Sequence, residues 1–115
     1  MSDLDLLDKL LVYDYETAPS TGGSYKVGSL SNIRYNDLVE ILGSPTITDP
    51  SGDDKVQKEW VVEFEDKIFT IYDWKTYSVF ETMNTLETWS IGGNSYSGGL
   101  EQYIYKLKNE IKLPF

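Results

Sequence analysis

The sequence predicts an α+β fold: an antiparallel sheet with a central hairpin, helices packed on one face, and a C-terminal amphipathic helix. Three observations lead there. An alternating apolar and acidic run at 57–65 is followed at once by a second apolar run. A helical segment near 36–43 carries a start and a stop signal, and an amphipathic segment closes the chain after a glycine-rich stretch. Two runs joined only by a turn form a hairpin, and a helix with one apolar stripe must bury that stripe on a neighbouring layer. The 115 residues fit a single domain over 1–115, with an N-terminal part at 1–31 and a core at 32–115.

In chain order, Ser2 to Val12 carries Leu4, Leu7 and Leu11 at helical spacing, with Ser2 and Asp5 as a capping pair. It reads as an N-terminal helix or, failing that, a tail. Thr17 to Ser31 holds Pro19, Gly22, Gly23 and Gly28 and reads as a Gly/Ser-rich loop with a short strand around Tyr25–Val27. Asn36 caps a helix whose apolar face is Leu38, Val39, Ile41 and Leu42; Gly43 stops it and Pro45 forbids its resumption. Trp60, Val62 and Phe64 then form the buried face of a strand, with Glu59 and Glu63 exposed on the other. Glu65-Asp66-Lys67 turns the chain into a second strand, Ile68 to Trp74. Lys75 to Thr85 reads as a loop and Leu86 to Ile91 as a third strand. Leu100, Tyr103 or Ile104, Leu107 and Ile111 make the stripe of the last helix, and Lys106, Lys108 and Lys112 sit near its negative end.

Composition narrows the function. Cysteine and histidine are both absent, so no disulfide, thiolate nucleophile or histidine general base is available. The expectation is a binding protein that is not an enzyme, without cofactor, bound metal or catalytic residues. A net charge of −9 argues against direct nucleic-acid binding. No basic leader and no membrane-length apolar run occurs, which implies a cytoplasmic protein with no membrane contact.

Three constellations could carry chemistry. The glycine-rich junction from Gly92 to Gly99, including Gly93, Asn94 and Ser95, could present backbone amides to a phosphate at a helix start. It lacks the Gly-Lys-Ser/Thr of a P-loop, and a plain flexible connection explains it as well. In Tyr72-Asp73-Trp74-Lys75 the rings could stack a base, Asp73 accept from its edge and Lys75 meet a phosphate; the bland alternative puts the rings in the core and Asp73 in solvent. The acids Asp53, Asp54, Glu63, Glu65 and Asp66 outline part of a metal-dependent nuclease, but they bracket a turn and read more simply as solvated charge; Asp49-x-Ser51-x-Asp53 is too short for a calcium loop.

Leu42-Gly43-Ser44-Pro45, Glu59 to Asp66, Ile71 to Lys75 and Trp89-Ser90-Ile91-Gly92-Gly93, in that order, resemble small bacteriophage proteins over roughly 33–112. The pattern is similar to the Thoeris anti-defence sponges. That resemblance implies a viral counter-defence role, acting in the host cytoplasm, in which an oligomer sequesters a cyclic nucleotide-type immune signal without cleaving it. The ligand zone it implies lies at Tyr72, Asp73, Trp74 and Asn94. The last helix departs from the expected pattern, having lysines with Tyr103 and Tyr105 in place of arginines, and Lys67 stands where such hairpins turn with glycine. A rival reading makes the chain an acidic inhibitor occupying the basic channel of a host protein through Glu59, Glu63 and Glu65. A homo-oligomer, most simply a dimer, is expected on either reading.

Overall fold

The computed structural model describes residues 10–19, 24–48, 56–74 and 78–111. Within them run β1 (Leu10–Val12), β2 (Tyr25–Ser31), α1 (Tyr35–Leu42), β3 (Glu59–Phe64), β4 (Lys67–Tyr72), α2 (Val79–Asn84), β5 (Thr88–Gly93) and α3 (Gly98–Ile111). The strands form one sheet in the order β1-β3-β4-β5-β2, every neighbouring pair antiparallel. This is the α+β architecture that the alternation and helix signals predict. No helix among the described residues is long and apolar enough to cross a membrane.

One sheet face carries the core. Trp60, Val62 and Phe64 of β3, Phe69 and Ile71 of β4, and Trp89 and Ile91 of β5 are buried there. Leu38 and Leu42 of α1 and Leu100, Tyr103, Ile104 and Leu107 of α3 pack onto them. The two core tryptophans meet edge to face with ring centres 5.6 Å apart. Burial of an indole leaves its N–H needing an acceptor, and both find one on the segments flanking α1. Trp89 Nε1 donates to the Ile33 carbonyl at 3.0 Å, and Trp60 Nε1 donates to the Gly43 carbonyl at 3.0 Å. Gly43 ends α1 at φ +85°, a conformation that favours glycine, and its N–H donates to the Val39 carbonyl at 2.8 Å.

The structure corrects several local expectations. Leu10 to Val12 is a strand, because pairing with Val62 to Phe64 places Leu10 and Val12 against the core; the remainder of the expected N-terminal helix lies outside the described residues. The expected short strand at 25–27 is seven residues long, because it pairs with the whole of β5. At the start of α1 the helix begins at Tyr35, and the Asp37 carboxylate, rather than Asn36, bonds the free Arg34 N–H at 3.0 Å. The expected loop at 75–85 contains α2, capped by Ser78 Oγ, which accepts from Glu81 N at 3.3 Å. The third strand runs to Gly93 and takes in both glycines. Finally, Glu59 and Glu63 are half-buried rather than exposed, as Tyr13 donates to the Glu63 carboxylate at 2.9 Å and Glu59 stands opposite Tyr72.

Candidate functional site

Asp73 follows the last residue of β4 and is wholly buried. Its carboxylate joins three segments. One oxygen accepts from the Gln57 and Lys58 amides at 2.9 and 2.8 Å; the other accepts from the Gln57 amide at 3.1 Å and the Thr82 hydroxyl at 2.7 Å. A buried carboxylate must be matched by donors, and here backbone amides and a helix hydroxyl supply them. Asp73 therefore fastens α2 and the approach to β3 onto the end of β4. It does not present an acceptor to solvent.

Tyr72 and Trp74 flank it in sequence, and strand alternation puts Tyr72 on the sheet face opposite Phe69 and Ile71. The Tyr72 and Trp74 rings meet edge to face at 6.3 Å, and Trp74 is 50% exposed. Opposite Tyr72 on the neighbouring strand stands Glu59. Its carboxyl is pushed above the ordinary value by burial first and by the Asp73 charge second. The Tyr72 hydroxyl is also raised, by burial and then by Glu59. Among the described residues no hydrogen bond or ion pair reaches the Glu59 carboxylate, while the nearby Lys58 ammonium donates to the Thr48 carbonyl at 2.8 Å. α2, which Thr82 ties to the buried Asp73, leaves Phe80 70% and Met83 40% exposed. Lys75 lies outside the described residues.

The other half of the expected site sits elsewhere. Gly92 and Gly93 belong to β5, opposite Thr70 and Phe69 of β4. They are small because neighbours overlie them. A Cβ on Gly92 would come within 2.6 Å of Thr70 Oγ1, and one on Gly93 within 2.8 Å of a Phe69 ring carbon. Gly98 and Gly99 already belong to α3, leaving Asn94 to Ser97 as the connection. Because β4 and β5 are antiparallel, Trp74 and Asn94 run off opposite ends of the sheet. Extending the Tyr72–Ser90 register puts six residues between them, or about 20 Å at 3.3 Å per residue. One copy of the chain cannot set a single base and its phosphate on both. The Asn94 end has a shallow open cleft of about 40 Å³ lined by Phe64, Glu65, Lys67, Phe69, Tyr96 and Leu100, far below the usual size for a small-molecule pocket.

The chain matches no family model, no curated protein and no solved structure. Among the described residues, no three carboxylates converge where a metal ion could sit; Asp49, Asp53 and Asp54 lie outside them. Glu65 and Asp66 form the exposed β3–β4 turn. The acidic face is narrower than its sequence implies, since Glu63 is engaged by Tyr13 and Glu59 is half-buried. Sequence reasoning missed α2 with Phe80 and Met83. The signal available was Ser78-x-x-Glu81, a capping pair at the head of a six-residue helix.

Proposed function

We propose that this chain is a non-enzymatic binding protein that recognises a basic protein partner at the Trp74 end of the sheet. A lysine or arginine of the partner sits against the Tyr72–Trp74 rings and pairs with Glu59. The observation that carries this reading is the half-exposed Trp74 ring set edge-on to Tyr72 beside a half-buried carboxylate that no described donor reaches. A cation over an aromatic face gains about 0.5–2 kcal/mol, and a desolvated carboxylate next to it adds a charge-assisted bond. Exposed aromatic side chains are also among the types enriched where proteins meet. The phage-like motifs set this binding in counter-defence within a host cell, with a host immune or nucleic-acid-binding protein as the partner.

Sequestering a cyclic nucleotide-type signal is the second reading, favoured by the exposed Trp74 ring as a stacking platform. The carboxylates of Glu59 and Asp73 beside that ring oppose a phosphate, so the anion-binding groups would come from a second copy in an oligomer. Calorimetric titration separates the two. Lysine- and arginine-containing peptides should bind saturably, more weakly at high salt, and 5- to 30-fold more weakly to Glu59→Gln and Trp74→Leu. Saturable binding of a cyclic nucleotide with no response to the peptides would replace the first reading by the second.

A further inference from the structure

β2 is an edge strand of seven residues, whereas β1 at the other edge has three. The outer edge of a strand that long offers alternate N–H and C=O groups to any other strand. Here one stripe of α3 and its cap occupies them. Ser97 Oγ donates to the Val27 carbonyl at 3.4 Å, and the Glu101 carboxylate accepts from Ser29 N at 2.8 Å. The Tyr105 hydroxyl accepts from Ser31 N at 2.6 Å and donates to the Ser31 carbonyl at 3.1 Å, so a single hydroxyl replaces both groups of a neighbouring strand residue. Lys108 Nζ then donates to the Asn32 carbonyl. Residues 97, 101, 105 and 108 recur at helical spacing on one side of α3. Gly28 makes this approach possible, because a Cβ there would overlap Ser97 Oγ and Glu101 Oε1. The register shift between Lys26 and Gly28 marks the same place as a bulge.

We infer that the outer edge of β2 is a self-pairing surface, held closed by the Ser97–Glu101–Tyr105 stripe of α3, whose occupant on release is β2 of a second copy. The edge is complementary to itself. Ser29 and Ser31 point their backbone groups outward, and a two-fold axis at Leu30 sets Ser29 of each copy against Ser31 of the other. At the centre of this pairing Ser29 meets Ser31 and Leu30 meets Leu30, so no like charges oppose the central pairs. The stripe thus acts as a built-in block to strand addition, independent of the recognition site at the other side of the sheet.

The test compares the parent chain with Glu101→Ala/Tyr105→Phe, which keeps the Tyr105 ring, and with Glu101→Gln, which keeps an acceptor. In the double variant, amide exchange at Ser29 and Ser31 at low protein concentration should accelerate on the order of tenfold, the loss of one modest hydrogen bond each. Light scattering on raising the concentration should show its mass doubling relative to the parent, and Glu101→Gln should behave as the parent does. The chain has no cysteine, so adding Ser29→Cys and Ser31→Cys to the double variant should give an intermolecular disulfide in the associated form. Faster exchange with no change in mass would overturn the proposal, because the edge would need no block. Unchanged exchange, or association without the cross-link, would overturn it equally.

Discussion

Removing the Asp73 carboxylate tests the claim that it fastens the fold rather than holding a ligand. In Asp73→Ala the Gln57 and Lys58 amides and the Thr82 hydroxyl lose the acceptor that they reach at 2.7–3.1 Å in a fully buried site. The Thr82 hydroxyl can keep the Ser78 carbonyl at 3.1 Å, so the cost falls on the bonds from the two amides to the charged carboxylate, about 1.5–3 kcal/mol each and about 3–6 kcal/mol together. That is a large share of the ~5–15 kcal/mol by which such a domain is stable. Asp73→Asn should be far milder, at about 1 kcal/mol. Its remaining oxygen can accept from the two amides, its NH2 can donate to Thr82 Oγ1, and the Thr82 hydroxyl can then donate to the Ser78 carbonyl, already 3.1 Å away. Urea unfolding followed by tryptophan fluorescence reads both, and with a slope of about 1.5 kcal/mol/M the alanine variant should lose roughly 2 M or more in midpoint. An alanine variant within about 1 kcal/mol of the parent, with unchanged slope, would refute the reasoning and return Asp73 to the candidate ligands.

Other outcomes follow from neighbouring geometry. The folded-state carboxyl of Glu59 lies above its ordinary 4.5, so its charged form opposes folding at neutral pH and the opposition fades as pH falls through the raised value. Glu59→Gln should therefore melt higher than the parent at pH 7, with the gap closing below pH 4.5; a gap that widens on acidification would refute this. Glu65 and Asp66 hold φ of 53° and 67° in the two-residue β3–β4 turn, where Asn-Gly is favoured. Glu65→Asn/Asp66→Gly should stabilise by about 1–2 kcal/mol in chemical denaturation, and a loss of stability would count against the turn geometry. Gly93→Val must push Phe69 aside and should cost about 1–3 kcal/mol, measured by urea unfolding; wild-type stability would remove the packing account of this glycine.

The sequence by itself determined the sheet's central hairpin, the buried face of Trp60, Val62 and Phe64, the stripe of α3 and the stop at Gly43, because each is a local period or a local backbone requirement. It left open everything that depends on what lies across from a residue. Leu10 to Val12 has the leucine spacing of a helix, yet the edge of β3 takes it as a strand. Gly92 and Gly93 look like a flexible phosphate loop from their neighbours in the chain, but Thr70, Tyr72 and Phe69 beside them in space explain the absent side chains. Asp73 looks exposed because it is charged, whereas its donors come from residues 57, 58 and 82 and make burial favourable. The two halves of the expected ligand zone lie apart for the same reason. Strand ends close in a one-dimensional pattern are separated by antiparallel pairing, and only the register revealed that Trp74 and Asn94 leave the sheet at opposite ends.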